Sequence, residues 1–197
     1  MNTAIKSSES WHIETRVALC PNDLAMVMAV RAATFLAEED NITYAEEFNG
    51  NDHVATHILA FVDGDPAGTM RIRWFKDFAV LERICVRRRY RTFRVFRCLA
   101  NAAIEHLRTK GWKIAIGRAR GDTQLLWRRL FKGHPTGKPI YLSRGIVLPI
   151  LLEFPELNSD TFSDLTLGKP EVEDLIVQLE SRWDFTKVRI AAAHTAA

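Results

Sequence analysis

The sequence predicts an α/β (α+β) domain built on one central, mixed and mostly antiparallel sheet with helices on both faces. Three observations predict it. Two alternating runs, His57 to Val62 and Ala67 to Phe75, flank the turn sequence Asp63-Gly64-Asp65-Pro66 and read as a hairpin. A strand at Ala79 to Val86, a basic loop, an amphipathic helix and a strand at Trp112 to Gly117 then form a β-α-β crossover. A strand and a long amphipathic helix precede the hairpin, so strands and helices are interleaved and not segregated.

Each element has its own local justification. Ile13 to Leu19 alternates β-branched with polar residues, as a half-buried strand does. Pro21-Asn22-Asp23 supplies a turn and a cap for the helix LAMVMAVRAATFLAEE. Asp40 to Asp52 is polar and reads as a short helix plus loop. Arg87 to Phe93 reads as a basic loop. In the helix Val95 to Lys110, apolar Val95, Phe96, Leu99, Ala103 and Leu107 share one face, and Gly111 stands at the end where a left-handed cap is needed. Thr123 to Phe131 reads as a helix, Lys132 to Lys138 as a Gly/Pro loop, and Ile140 to Leu152 as further strand. In the weakly patterned remainder, Glu171 to Arg182 is the expected helix. The expected organisation is a disordered N-terminus over 1–12, one globular domain over 13–153, and an acidic C-terminal extension over 154–197.

Composition narrows the functional classes. The 197 residues suit one domain, and 47% hydrophobic with 26% charged residues is the profile of a folded protein. Cys20, Cys85 and Cys98 are odd in number and widely spaced, with no CxxC, so a disulfide framework is excluded and a reducing, cytoplasmic setting is expected. The polar first ten residues lack the apolar stretch of a secretory signal, and no run is long enough to span a membrane. The net charge of +3 hides a local concentration: seven arginines lie between Arg83 and Arg97 with no acid among them. Such a run is either a solvated helix face or a site for a polyanion, and charge alone does not choose.

The residues around that run carry a resemblance. LERICVRRRYRTFRVFRCLANAAIEHLRTKGW resembles the acyl-CoA-binding motif of the GNAT N-acetyltransferase superfamily: a strand ending in a hydrophobic residue, then (Q/R)xxGx(G/A), then a long helix. Val86 ends the strand here and Arg91 opens the motif. The resemblance covers residues 13 to about 145 and implies a GNAT fold that transfers an acyl group from a pantetheine thioester to an amine. The strand-loop-helix arrangement aims backbone N–H groups and the helix dipole at one place, as phosphate binding needs. The implied donor-binding positions are Cys85, Val86, Arg87, Arg91, Thr92, Phe93, Arg94 and Val95, with the N–H groups near Cys85 and Val86 polarising the thioester.

The motif departs from the family pattern where its glycines belong, at Thr92, Arg94 and Phe96. Side chains there obstruct a backbone cradle for a pyrophosphate. Three outcomes stay open: the donor site is lost, arginine side chains replace backbone contacts, or the donor carries fewer phosphates, as an acyl carrier protein does. A second resemblance, VRAATF…AEEDN…NDHVATHILAFVDGDPAGTMRIR, is to the acyl-homoserine-lactone synthases and the related N-acyl amino acid synthases. Its matching positions are Arg31, Phe35, Asp52, His57, Arg71 and Glu82. It places Arg31, Phe35 and Arg71 in the substrate site, and Trp74 at the hairpin's end is the further candidate substrate-binding residue. Trp74, Phe75 and Phe78 either border an acyl pocket or pack in the core.

The reaction needs an amine without its proton and donors for the oxyanion. Glu82, an acid in mid-strand, is the candidate general base, and the alternative is an ion pair with Arg71 or Arg73. The tyrosine that the family uses as general acid is absent, with Trp127 in its segment; Tyr90 and Tyr141 are poor substitutes. His53 and His57 lack a third ligand at metal spacing, so no metal is expected. Cys85 on a buried strand reads as a small apolar residue. The sequence thus predicts an N-acyltransferase with acyl-CoA or acyl carrier protein as donor and a small-molecule amine, such as an amino acid, as acceptor. The alternatives are a short-chain acetyl-CoA enzyme and a silent module binding nucleic acid or a protein through its arginines. Nucleic acid is not the expected partner, and the oligomeric state is not legible.

Overall fold

The computed structural model describes residues 10–39, 42–121, 123–142 and 145–154. The expected helix at 171–182, the N-terminal residues 1–9 and the extension from 155 onward lie outside the described residues. The chain divides into two compact units, one from residues 1–73 with 82–106 and one from 74–81 with 107–197.

The first unit contains β1 (Ile13–Val17), α1 (Pro21–Arg31), a π-helical continuation (Ala32–Glu38), α2 (Tyr44–Glu47), β2 (Thr56–Val62), β3 (Asp65–Trp74) without its last residue, the end of β4 (Ala79–Val86), and most of α3 (Phe93–Thr109). Its sheet order is β1-β2-β3-β4. β2 pairs antiparallel with β1 and with β3. The β2–β3 turn is tight because Asp63 and Gly64 both take positive φ, 50° and 86°, the backbone that short hairpin loops require. Val27 of α1 packs on Leu59 and Phe61. α3 lies against the opposite face, where Gly68 meets Leu99 and Val86. A Cβ on Gly68 would stand 2.8 Å from the Cys85 carbonyl oxygen, so only glycine lets β3 and β4 approach this closely.

In the second unit, Ala79, Val80 and Leu81 of β4 pair in parallel with Ala115, Ile116 and Gly117 of β5 (Ile114–Arg120). β8 (Gly145–Glu153) runs antiparallel to β5 and also pairs with the short strands β6 (His134–Pro135) and β7 (Ile140–Leu142). α4 (Thr123–Phe131) sets Trp127 beside Gly117, while Phe78, Val80 and Ile116 form a buried cluster on the other face of the strands.

The expected mixed sheet with helices on both faces is therefore present, and the crossover is β4-α3-β5. Three local readings need correction. The segment read as a Gly/Pro loop at Lys132 to Lys138 contains β6, whose two residues pair with Ile150 and Leu151. The basic loop contains a 3-10 turn at Arg88–Tyr90. The first helix changes to π geometry at Ala32, where Glu39 N–H bonds to the Thr34 carbonyl five residues back. Composition cannot signal these features, because each depends on partners elsewhere or on hydrogen-bond register.

Candidate active site

Seven charged residues of the first unit form one buried network. Arg31, at the C-terminal end of α1 and fully buried, bonds through Nε to Glu47 and through Nη1 to Asp52, and its Nη2 donates to the Glu47 carbonyl at 3.1 Å. Arg71 on β3 reaches Asp52 Oδ1 at 2.9 Å and Glu82 Oε1 at 2.7 Å. Arg73 Nε lies 2.6 Å from Glu82 Oε1. Arg83 Nε lies 3.0 Å from Glu47 Oε2, and its Nη2 donates to the Glu46 carbonyl. The side chains come together because α1 places Arg31 over the β2–β3 face that carries His57 and Arg71, which are register partners. α2 brings in Glu47, and a Thr43–Glu46 capping box fixes where that helix starts.

The network decides protonation. Burial pushes the Asp52 carboxyl up, but the hydrogen bond and charge of Arg31 and the charge of Arg71 outweigh it and hold the group below its usual range. Burial pulls Arg31 down, and Asp52 and Glu47 more than reverse it. Burial lowers Arg83 even against Glu82 and Glu47. Burial also lowers His57, against the pull of the Asp52 carbonyl and charge, so the imidazole is neutral at pH 7. Its Nε2 lies 3.1 Å from the Asp52 carbonyl oxygen, which assigns the proton to Nε2.

Glu82 and Arg83 break the alternation of β4. Both side chains join the network, and Arg83 takes φ 52°, the left-handed region. A non-glycine residue held so in mid-strand, as at a β-bulge, re-aims the residues that follow. Cys85 then faces the Thr34 and Arg31 side of the sheet, where burial raises its thiol to about 12, with Thr34 pulling the other way. A thiol so raised is no nucleophile at neutral pH. The Glu82 carboxylate receives Arg71 Nε (2.9 Å) and Nη2, and Arg73 Nε and Nη2 (3.4 Å). Three of these contacts converge on Oε1, while Oε2 receives the Arg73 Nη2 bond at 3.4 Å.

After Val86 the chain enters the arginine-rich turn. Arg87 N–H bonds to the Ala67 carbonyl at 2.9 Å, and its guanidinium reaches Asp65 and the Pro66 carbonyl. Tyr90 is buried, donates its hydroxyl to Asp65, and stands edge-on to Trp11 with ring centroids 5.6 Å apart. Arg91 Nε bonds to the Val86 carbonyl at 3.2 Å, and its Nη2 lies 2.9 Å from Glu39 and 3.3 Å from Glu38. Thr92 caps α3: Phe96 N–H reaches its carbonyl at 3.2 Å and Val95 N–H its hydroxyl at 3.5 Å. Phe93 is exposed beneath Arg97, Arg94 Nη2 reaches the Trp11 carbonyl at 3.4 Å, and Val95 is buried.

The structure thus gathers Arg31, Asp52, His57, Arg71 and Glu82 in one cluster and strings Cys85 to Val95 along one continuous strand-turn-helix segment. Phe35 lies half-buried on the π-helical segment. Trp74, in the second unit, packs on Trp112 at 5.6 Å with Lys110 over its ring. Phe75 and Phe78 stack at 4.8 Å, and Phe78 is fully buried. Trp127 is buried, Tyr141 exposed. Sequence reasoning missed Glu47 and Arg83 as network members, and Glu38, Glu39 and Asp65 as partners of the arginine run. Their pairings span 16 to 53 positions and leave no local pattern; the capping box Thr43–Glu46 was the only available signal near them.

The model of the acetyltransferase (GNAT) family matches residues 24–124. Over 105 residues the chain is 30% identical to the protein YyaT of Bacillus subtilis (strain 168), covering 52% of this chain and 69% of that one. Among solved structures, Escherichia coli ElaA superposes with a TM-score of 0.62 at 22% identity, covering 72% of this chain and all of that one. FeeM, an N-acyl amino acid synthase from uncultured soil microbes, gives a TM-score of 0.62 at 11% identity, covering 73% of this chain and 92% of that one. At these identities the two structural likenesses concern the fold.

Proposed function

Because the chain belongs to the acetyltransferase (GNAT) family, we propose that it is an N-acyltransferase that takes its acyl group from acyl-CoA or an acyl carrier protein and gives it to a small amine such as an amino acid. The observation that supports this best is the continuous run from the kink at Arg83, through Cys85 and Val86, to the basic turn and the N-terminus of the 17-residue helix α3. A helix of that length has unsatisfied N–H groups at its start and a favourable field for phosphate. In this reading the donor lies along Cys85 to Val95, with backbone N–H groups at Cys85 and Val86 for the thioester oxygen.

The amine nitrogen attacks the thioester carbonyl, the C–N bond forms, the C–S bond breaks, and the departing thiolate takes up the proton that the nitrogen loses. Glu82 serves this site as the anchor of Arg71 and Arg73, with which it forms ion pairs at 2.7 and 2.6 Å. The acceptor then enters as the free amine, so the rate follows the unprotonated amine fraction as pH rises. A Glu82→Gln variant separates the roles: an anchor loses stability, and a base loses turnover by about 10²–10⁴-fold with stability kept.

The Arg31, Asp52, Arg71 and Glu82 cluster supports the branch that makes N-acyl amino acids, since these are the positions matched to it. A specific observation favours a short-chain enzyme instead: Trp74, Phe75 and Phe78 are closed on aromatic partners. Turnover of acetyl, octanoyl and palmitoyl donors, each on CoA and on carrier protein, with a panel of amino acids tests both. For the synthase reading, efficiency rises with chain length, by about 0.8 kcal/mol of binding per buried methylene. Acetyl donors outperforming all others would overturn it, and no turnover with any thioester would overturn the acyltransferase proposal.

A further inference from the structure

The basic turn already holds an anion, and that anion belongs to the protein. Glu38 Oε2 accepts the Arg88 backbone N–H at 2.7 Å and lies 3.3 Å from Arg91 Nη2, while the Arg88 guanidinium donates to the Glu38 carbonyl at 2.9 Å. Glu39 Oε1 lies 2.9 Å from the same Arg91 nitrogen. A carboxylate bound by one main-chain N–H and one guanidinium occupies the kind of position a phosphate oxygen takes. The π-helical register of Ala32–Glu38 is what ends the first helix with these two acids at the turn; the Glu39 N–H bond to the Thr34 carbonyl fixes it.

We propose that Glu38 and Glu39 are affinity-determining residues for the donor: an internal acidic pair that occupies the Arg88–Arg91 anion position and must be displaced before a phosphate of the donor can take it. This rests on the phosphate-binding reading of the turn given above. The pair raises the threshold for every anion. A donor presenting several phosphate charges, as CoA does, clears it more easily than a single inorganic phosphate. It also gives the arginine-rich turn a neutralising partner while the site is empty. The ion pairs are partly solvated, with Arg91 44% and Glu38 24% exposed at the side chain, so the barrier is one that a ligand can overcome.

The test is calorimetric titration of the full chain with CoA, and separately with inorganic pyrophosphate, at low and at moderate salt. The proteins compared are the wild type, Glu38→Gln, Glu39→Gln, the double variant and Arg91→Ala. The double variant binds CoA more tightly than wild type by about three- to tenfold, with an intermediate gain in Glu39→Gln, and salt narrows the gap. The Glu39 carboxylate meets the side chain of exposed Arg91 rather than a main-chain N–H of the turn, so Glu39→Gln keeps the test valid should loss of the Glu38 main-chain contact harm folding. Binding seen in the double variant alone supports the proposal. Equal or weaker binding by folded acid variants, with wild-type binding lost in Arg91→Ala, overturns the acidic pair and leaves the phosphate-binding reading standing. Absence of binding in every variant overturns both.

Discussion

Four guanidinium groups (Arg31, Arg71, Arg73, Arg83) meet three carboxylates (Glu47, Asp52, Glu82) in the buried network as its described contacts link them. That surplus of one positive charge makes a ranking prediction. Breaking a buried pair by removing one partner costs about 3–5 kcal/mol, because the other is left uncompensated. Arg31→Met leaves Glu47 paired with Arg83 and Asp52 paired with Arg71, and brings the count to three against three. Glu47→Gln keeps the side-chain shape but raises the surplus to two, with Arg31 and Arg83 sharing one neutral amide. Each guanidinium then loses its attraction to the Glu47 charge, which for opposite charges about 4 Å apart is roughly 4 kcal/mol at an effective dielectric of 20, and nothing offsets the repulsion between the two. Glu47→Gln is therefore the more damaging change, by about 1–3 kcal/mol after relaxation, although Arg31→Met removes more atoms and more hydrogen bonds. Urea unfolding followed by circular dichroism measures both, with the slope m checked for constancy. An Arg31→Met/Glu47→Gln double variant no worse than Glu47→Gln alone would agree. Arg31→Met at least as destabilising as Glu47→Gln would refute the charge-count reasoning and make hydrogen-bond number the governing quantity.

Gly68→Ala forces a methyl group to within 2.8 Å of the Cys85 carbonyl and 3.1 Å of Leu99 Cδ1; thermal unfolding should show a loss of about 1–3 kcal/mol, and an unchanged melting temperature would mean β3 and β4 can part freely. His57 is lowered below its usual 6.5 in the fold, so the unfolded chain binds more protons and stability falls as pH drops below about 6.5; His57→Gln should flatten that limb of a pH–stability curve. Asp52 is lowered too, so its contribution is present above about pH 4 and disappears as pH falls further; Asp52→Asn should remove that second acid limb. Arg91→Ala and Arg94→Ala should each weaken CoA binding, by about 1.5–3 kcal/mol where a charge-assisted contact is lost; titration showing no change in both contradicts the phosphate-binding turn.

The fold was legible because it depends on periodicity. The hairpin and the crossover each rest on alternation or a 3.6-residue stripe, and α4 was placed at Thr123–Phe131 to the residue. That Arg31, Asp52, Arg71 and Glu82 lie in one cluster was also legible, because a resemblance carries residue types at fixed spacing; the structure shows them as partners in ion pairs. The site's electrostatics were not. Seven arginines in sequence look like a large positive field. The guanidinium groups of three of them, Arg83, Arg87 and Arg91, meet carboxylates from Glu47, Asp65, Glu38 and Glu39 in the fold, and the Arg88 backbone N–H binds the Glu38 carboxylate. Those acids lie 22 or more positions away, so only tertiary structure reveals the neutralisation.

The kink at Arg83 links these two halves of the account. A positive φ at a non-glycine residue costs on the order of 1–3 kcal/mol and persists only where the surroundings enforce it. Here Glu47 and the Glu46 carbonyl hold the Arg83 guanidinium from above, while Glu82 is held by Arg71 and Arg73. Both sides of the kink are thus fixed by charges, and the direction in which Cys85 and Val86 leave it is set by the buried network rather than by the strand's own pattern. An Arg83 in extended backbone would instead keep the strand's alternation and carry Cys85 to the opposite face. The ionic cluster and the segment that starts at Cys85 are therefore one structural device, and substitutions in Glu47 should disturb that segment even though Glu47 precedes it by more than thirty residues.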